Sequence, residues 1–150
     1  MTVTIRKIEA RDENRWRELW DDYTRFYNET PSEPVTRRTW ARLLEAGAPV
    51  RAVVAEREGE VIGIANYVLH ESTSELTPVC YLQDLFVVPG RRAAGVGRAL
   101  IDWLLAEMKT QRWSRVYWAT GENNYRARGL YDKYTPHSGF LRYVVENPEK

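Results

Sequence analysis

Residues 85–100 read LFVVPGRRAAGVGRAL, in which an apolar run ends at Pro89 and Gly90 and a basic, glycine-bearing turn follows. Glycine lacks a Cβ, so the backbone can turn tightly there and bring its amide N–H groups close to a ligand. The first turn of the following helix adds unpaired N–H donors and the positive end of the helix dipole. A strand, this turn and a helix, in that order, therefore predict a binding site for a phosphate or pyrophosphate.

The spacing of the glycines separates this turn from two other phosphate-binding loops. A P-loop requires G-x-x-x-x-G-K-[ST], and the chain contains no Gly-Lys pair. A Rossmann fingerprint requires three glycines near the start of a βαβ unit, whereas only Gly95 and Gly97 are in register here, deep in the chain. The pattern that fits is R-x-x-G-x-G, which begins at Arg92 and follows a strand. An ordinary helix start with surface arginines is the alternative, and the flanking strand and helix favour the anion site.

This turn resembles the one that binds the pyrophosphate of acetyl-coenzyme A (acetyl-CoA) in the GNAT superfamily of N-acetyltransferases. A second block, YWAT at 117–120 followed by Asn124 and Tyr131, resembles the strand and helix that complete the cofactor site of that family. The resemblance covers about residues 79–145. It implies a GNAT-like acyl-CoA N-acyltransferase fold with acetyl-CoA as the cofactor.

The composition bounds the class of protein and its partners. A chain of 150 residues, 43% hydrophobic and 29% charged, is typical of a single globular domain, here 1–150. A net charge of +1 argues against bulk phosphate neutralisation, so no nucleic-acid partner is expected. The N-terminus lacks the apolar core of a signal peptide, no apolar run is long enough to span a membrane, and Cys80 is the only cysteine. We therefore expect a cytoplasmic protein with no membrane segment, no internal disulfide and no metal site.

The periodicity of the apolar residues predicts a mixed α/β sheet with the element order βααβββαβαβ, which is also the GNAT order. Trp16 to Tyr27 repeat at helical spacing, two prolines break that helix, and Thr36 is the expected cap of the next one. The apolar strand before the glycine turn is expected at the centre of the sheet. The predicted strands are 2–8, 50–56, 61–69, 79–88, 116–119 and 140–145, with a hairpin turn at 57–60; the helices run from Asp12 to Tyr27, from Thr36 to Gly47, from the glycine turn to about 109–112, and over 124–134.

The resemblance also implies which residues bind the cofactor. In the GNAT family the pantetheine arm pairs with backbone at the end of the strand before the turn, and the pyrophosphate lies on amides of the turn. The corresponding residues are Leu85, Phe86, Val87 and Val88 for the pantetheine, and Arg92, Ala93, Ala94, Gly95, Val96, Gly97 and Arg98 for the pyrophosphate. Asn124 corresponds to a family asparagine that bonds the pantetheine. Its alternative role is the N-cap of the fourth predicted helix, and the two roles are compatible.

Acetyl transfer to an amine needs a proton acceptor for the substrate ammonium and a proton donor for the departing thiolate. Tyr131 falls where many family members place a tyrosine near the sulfur, and a phenol, with a reference pKa of about 10, suits the donor role. Its alternative is a buried aromatic of an amphipathic helix. Gln83 stands where the polyamine-acetylating branch has a glutamate, and an amide cannot act as the base. Asp84 remains as the base, acting through ordered water; a structural strand carboxylate, or an attractor for a cationic substrate, is the alternative.

Substrate contacts in this fold come from the first two helices. We expect an aromatic and acidic pocket suited to a cationic amine, lined by Trp20, Tyr23, Tyr27, Trp40, Asp21, Asp22, Glu29 and Glu33. Gln83 is also assigned to the substrate site. The alternative for Trp20, Tyr23 and Tyr27 is the hydrophobic core, because they share the apolar stripe of the first helix, and the alternative for the acids is the solvated face of that helix.

The function that the resemblance implies is transfer of an acetyl group from acetyl-CoA to a primary amine of a small molecule, such as a polyamine, an amino acid or a related amine. One alternative is a protein or peptide N-acetyltransferase. Another is a catalytically silent acyl-CoA sensor or interaction module, which is considered because the amide of Gln83 cannot act as the base. Six tryptophans and nine tyrosines leave room for an exposed apolar patch, so we also expect a homodimer.

Overall fold

Five strands form one mixed sheet in the computed structural model, which describes residues 2–91 and 95–150. The strands are β1 (Thr4–Lys7), β2 (Val50–Arg57), β3 (Glu60–His70), β4 (Val79–Val87) and β5 (Val116–Tyr117). The helices are α1 (Glu13–Phe26), α2 (Glu33–Leu44), α3 (Val96–Gln111) and α4 (Tyr125–Tyr131), with a 3-10 turn at Ala10–Asp12. The strands stand in sequence order, antiparallel from β1 to β4 and parallel between β4 and β5. The predicted mixed α/β class is confirmed.

The chain divides into two compact units, one ending at Ala119 and the other spanning Thr120–Lys150. The first unit holds the whole sheet together with α1, α2 and α3, and the second holds α4 and the residues after it. The single domain expected over 1–150 stays a prediction.

Helices cover both faces of the sheet in the first unit. Successive residues of a strand point to opposite faces, so Ile64 of β3 faces α1 and α2 while Gly63 faces α3. The core on the α1 and α2 face consists of Trp16, Leu19, Trp40, Leu43, Ala52, Val54, Val61, Ile64 and Phe86. On the other face, α3 buries Leu100, Ile101 and Leu104.

β3 lies at the centre of the sheet, and β4 lies fourth, between β3 and β5. The expectation that the strand before the glycine turn is central was therefore wrong. An apolar run predicts a strand covered on both faces, but its position among the strands depends on pairing that the run itself does not encode.

Two local turns show how the chain enters its elements. The two residues that join β2 and β3, Glu58 and Gly59, have φ angles of 52° and 78°, as a two-residue type I′ hairpin turn requires. The predicted hairpin is confirmed. α2 begins at Glu33 after the N-cap Ser32, earlier than the expected cap at Thr36. Pro34 fits its first turn because the missing N–H would have no helical partner there.

The predicted last strand, 140–145, does not form. These residues carry no strand pairing, and side chains such as Phe140 and Val145 are 90% and 96% exposed. An alternating pattern specifies which side chains would share a face of a sheet, whereas a strand also needs an available edge to pair with. The element order of the described residues therefore ends with α4.

Candidate active site

The glycine turn places a left-handed residue immediately before α3. Gly95 is the N-cap of α3, with φ of 75° and ψ of 19°. This left-handed backbone conformation favours glycine, and a Cβ on Gly95 would meet no atom of residues 2–91 or 95–150 within 4 Å beyond its own chain neighbours. The Gly95 carbonyl accepts the Ala99 N–H at 3.0 Å and starts the helix. The amides of Val96, Gly97 and Arg98 thereby lie in the first turn of α3, where helical N–H groups have no helical acceptor.

Three of the residues predicted to bind the pyrophosphate, Arg92, Ala93 and Ala94, lie outside the described residues. Within the described part of the turn, the Arg98 guanidinium lies 4.0 Å from the Asp102 carboxylate and is largely exposed.

A second glycine, Gly63, lets the start of α3 lie close to the sheet. A Cβ at this position would lie 3.1 Å from Cγ1 of Val96, 3.3 Å from Cδ1 of Leu100 and 3.3 Å from the carbonyl oxygen of Phe86. Distances this short require a neighbour to move. Gly63 therefore positions the N-terminus of α3 against β3 and β4, and no sequence motif identified it.

β4 continues beyond its last pair with β5. Among the described residues the two strands pair at Cys80 with Val116 and at Tyr81 with Tyr117, and β4 continues to Val87. The predicted pantetheine residues of β4, Leu85 to Val87, lie beyond the last of these pairs and face Ala65 to Gly63 of β3. At the end of β4, the Val88 N–H donates to the Ile62 carbonyl at 2.9 Å, and the Val88 carbonyl accepts the Arg91 N–H at 3.0 Å.

A β-bulge in β4 gives the adjacent residues Gln83 and Asp84 different surroundings. Asn66 of β3 faces Asp84, but the next residue, Tyr67, faces Leu82, so Gln83 is the extra residue of the bulge. Bulges redirect side chains and are common beside active sites. Here Gln83 is exposed and Asp84 is buried.

The Asp84 carboxylate lies in a buried polar cluster. Asp84 is 8% exposed, and the Asn66 Nδ2 donates to its Oδ2 at 3.1 Å. The Trp16 Nε1 donates in turn to the Asn66 Oδ1, also at 3.1 Å. Burial raises the pKa of Asp84 to about 6, hydrogen bonds from Asn66 and Tyr23 oppose that rise, and the charge of Glu29 adds to it. A carboxyl with this pKa changes protonation state close to neutral pH, as a general base requires.

An aromatic row along α1 leads to Asp84. Tyr23 bonds Asp84, and its ring lies 6.1 Å from that of Phe86 and 5.0 Å from that of Tyr27, between ring centroids. Tyr27 is 45% exposed at the end of the row. Trp40 is buried, with its ring centroid 5.5 Å from that of Trp16. Of the predicted substrate residues, the structure therefore brings Tyr23 to Asp84, places Trp40 in the core and leaves Gln83 on the surface.

The second unit contains the other two predicted site residues. Asn124 is the N-cap of α4, and its Oδ1 accepts the Ala127 N–H at 3.2 Å, which confirms the capping role considered for it. Tyr131 is the last residue of α4 and is half-buried. Their roles toward the cofactor stay predictions.

Sequence reasoning missed Asn66. The signal was one amide side chain inside the apolar run VIGIANYVL at 61–69, a position where a polar group is costly unless it is bonded. Within residues 2–91 and 95–150, no cluster of His, Cys, Asp and Glu is placed to hold a metal ion, and no helix combines the length and the apolar character of a membrane span.

The chain is similar to several acetyltransferases. The model of the acetyltransferase (GNAT) family matches residues 14–135. The D-amino-acid N-acetyltransferase HPA3 of Saccharomyces cerevisiae is 32% identical over 133 residues, which cover 87% of this chain and 83% of that protein. The uncharacterized N-acetyltransferase YhfO of Bacillus subtilis is 27% identical over 150 residues, covering 99% of this chain and 100% of that protein. The structure of AAC(6')-Iy with a bisubstrate analog has a TM-score of 0.84 at 17% identity, covering 98% of this chain and 99% of that one, which shows a shared fold.

Proposed function

Because the chain belongs to the GNAT acetyltransferase family, whose acyl donor is acetyl-CoA, we propose that it acetylates the primary amine of a small molecule such as a polyamine, an amino acid or a related amine. The observation that carries this proposal is the buried Asp84, with a pKa raised to about 6, in contact with Tyr23 beside the bulge in β4. The D-amino-acid N-acetyltransferase among its relatives supports a small amine as the acceptor.

The described residues fit the cofactor. The left-handed Gly95 and the first turn of α3, with Val96, Gly97 and Arg98, present amide N–H groups suited to a pyrophosphate. Leu85 to Val87 lie beyond the last pair of β4 with β5, which supports a pantetheine site along them. When bound, acetyl-CoA supplies the activated thioester, so the chain needs no serine or cysteine nucleophile of its own.

The proposed base is the Asp84 carboxylate. A primary amine is mostly ammonium at neutral pH, and it must lose a proton before it can attack. Above pH 6 the Asp84 carboxyl is ionised and can take that proton, directly or through ordered water. Tyr23 and Tyr27 orient the amine, and the Tyr131 hydroxyl is the proposed proton donor to the leaving group.

Thiol release from acetyl-CoA across a panel of polyamines, amino acids and peptides tests this proposal. We expect turnover with one class of small amine and much less with peptides. Turnover with peptides alone would favour a protein acetyltransferase. Binding of acetyl-CoA in a calorimetric titration, without turnover on any amine, would replace the enzyme with an acyl-CoA sensor.

We also propose a homodimer, which the exposed apolar side chains of residues 140–145 support. Light scattering at micromolar protein is expected to give twice the mass of one chain. The double substitution Phe140→Ser and Val145→Ser should return the monomer, and Leu76→Ser, at an exposed leucine outside residues 140–145, should not. A single-chain mass for the unmodified protein would contradict the dimer.

A cytoplasmic location is part of the same proposal. The chain has one cysteine, Cys80, and its thiol is buried and forms no disulfide. A chain without disulfides suits a reducing compartment.

A further inference from the structure

We infer that Asn66 is a positioning residue for Asp84: its side-chain amide, held by the indole of Trp16, donates a hydrogen bond to one carboxylate oxygen and orients the carboxylate. This inference rests on the proposed function, because it concerns the group to which that function assigns the role of base. Asn66 itself need not touch either substrate.

Trp16 fixes which way the Asn66 amide faces. An indole N–H can only donate, so the Asn66 atom that lies 3.1 Å from it must be the acceptor, Oδ1. The other end of the amide is then the NH2 group, and it lies 3.1 Å from the Asp84 Oδ2. An ionised carboxylate has no donor and can only accept. One orientation of the Asn66 amide therefore gives the indole an acceptor and the carboxylate a donor.

The pairing of β3 with β4 brings the amide and the carboxylate to the same face of the sheet. Asn66 and Asp84 are directly opposite each other in the β3–β4 ladder, and opposite residues of an antiparallel pair project to the same side. The pairing changes immediately afterwards, at Tyr67 and Leu82. The bulge at Gln83 separates this pair from the next one, whose side chains project to the opposite face of the sheet.

The cluster lies away from water, which strengthens its hydrogen bonds. Trp16, Asn66 and Asp84 are 0%, 4% and 8% exposed. Water competes little for a hydrogen bond in such surroundings, and a broken one leaves a desolvated group without a partner. Asn66 therefore holds the orientation of the buried Asp84 carboxylate more firmly than the same hydrogen bond would at an exposed site.

Donation by Asn66 also favours the ionised carboxyl. Burial raises the pKa of Asp84, and the Asn66 amide opposes that rise. The other groups that act on Asp84 are Tyr23 of α1, whose hydrogen bond lowers its pKa, and Glu29, after α1, whose charge raises it. Removal of the amide should therefore raise the pKa of Asp84 further and leave less carboxylate at neutral pH.

Asn66→Leu tests this inference, because leucine fills a similar volume and has no donor. The 13C signal of the labelled Asp84 carboxyl is followed against pH, with Asp84→Asn to assign the signal. We expect the titration midpoint to rise by about one pH unit. The acidic limb of kcat/KM for acetyl transfer should move to higher pH by the same amount.

Trp16→Phe is the second variant, because it retains Asn66 and removes the donor that orients the amide. We expect a smaller rise of the same midpoint, and this variant decides the question if Asn66→Leu does not fold. Val53→Ala is the control: it truncates a buried side chain of β2 on the α3 face of the sheet and should leave the Asp84 titration unchanged.

Two outcomes of these experiments separate the positioning role of Asn66 from the proposed function. An unchanged Asp84 titration in the folded Asn66→Leu and Trp16→Phe variants overturns the positioning role, even if acetyl transfer is intact. A raised titration midpoint in a protein that acetylates no amine supports the link from Asn66 to Asp84 and overturns the proposed function alone.

Discussion

β4 and residues 140–145 are both rich in apolar side chains and were both predicted to be strands, yet they differ sharply in burial. Val79 and Cys80 of β4 are 0% exposed, whereas Phe140 and Val145 are at least 90% exposed. β4 has a partner strand on each side, and residues 140–145 have no strand pairing. The difference shows that apolar, strand-forming residues make a segment suitable for a sheet, while pairing with a distant segment decides whether it is buried.

The chemical consequence of this difference falls on Asp84. A carboxyl in β4 is removed from water and acquires a pKa of about 6, whereas the Glu146 carboxyl, next to the exposed segment, has a pKa lowered by its ion pair with Lys150. Burial therefore turns one acidic residue into a candidate base at neutral pH.

The largest expected effect is that of Asp84→Asn on turnover. An amide cannot take the ammonium proton, so we expect kcat to fall by about 10²–10⁴-fold with little change in acetyl-CoA binding. Steady-state kinetics with the best amine of the panel and a calorimetric titration measure the two quantities. Glu45→Gln, at an exposed carboxyl, is the control and should match the unmodified protein. Full turnover in Asp84→Asn would mean that Asp84 has a structural role and is not the base.

The same variant should have the opposite effect on stability. Burial raises the pKa of Asp84 from 3.8 to about 6, so between these values the folded state binds more protons than the unfolded state. The contribution of Asp84 to the free energy of unfolding therefore falls as the pH rises through this window. Asp84→Asn should gain about 1–3 kcal/mol relative to the unmodified protein between pH 4 and pH 8, measured by urea unfolding. A pH-independent difference would mean that the carboxyl has an ordinary pKa.

A leucine in β4 tests the packing side of the comparison. Leu82 is 3% exposed, and Leu82→Ala should lower the free energy of unfolding by about 2–5 kcal/mol, because it removes buried methyl groups and leaves a cavity. Urea unfolding at one pH measures the change. A loss below about 1 kcal/mol would mean that β4 is less tightly packed than its burial indicates.

Gly63→Ala should have a smaller effect on stability. It also tests whether the packing of α3 against the sheet affects acetyl-CoA binding. The added Cβ would press on Val96 and on the carbonyl of Phe86, so the start of α3 must shift. We expect a loss of about 1–3 kcal/mol in the free energy of unfolding and weaker acetyl-CoA binding. Gly121→Ala is the matched control, because a Cβ there meets no atom of the described residues within 4 Å and the φ of Gly121 is not left-handed. Equal acetyl-CoA affinity in both variants would remove Gly63 from the positioning of the turn.

Local signals were sufficient wherever the structure depends on neighbouring residues. The hairpin at Glu58 and Gly59, the start of α3 at the glycine turn and the cap at Asn124 each follow from a few adjacent residues. The GNAT family was also recognisable from the turn and the block at 117–120.

Features that depend on distant pairing were not predictable in the same way. Asn66 gains its importance from a bulge in another strand and from an indole on α1, and nothing near it in the sequence specifies either. Gly63 is important because α3, which is distant in the sequence, lies close to it. Whether 140–145 form a strand depends on pairing with the edge of a sheet, which no local pattern specifies.

The smallest expected effect is that of Leu141→Ala in the exposed segment. Leu141 is 79% exposed, so at protein concentrations where the chain is monomeric the free energy of unfolding should change by no more than about 0.5 kcal/mol. In the proposed homodimer, association would add stability that depends on protein concentration. We therefore expect the unmodified protein to unfold at higher urea as its concentration rises, and Leu141→Ala to reduce that dependence. A large loss in the dilute monomer would contradict the exposed state of the segment, because a side chain in water has little burial to lose.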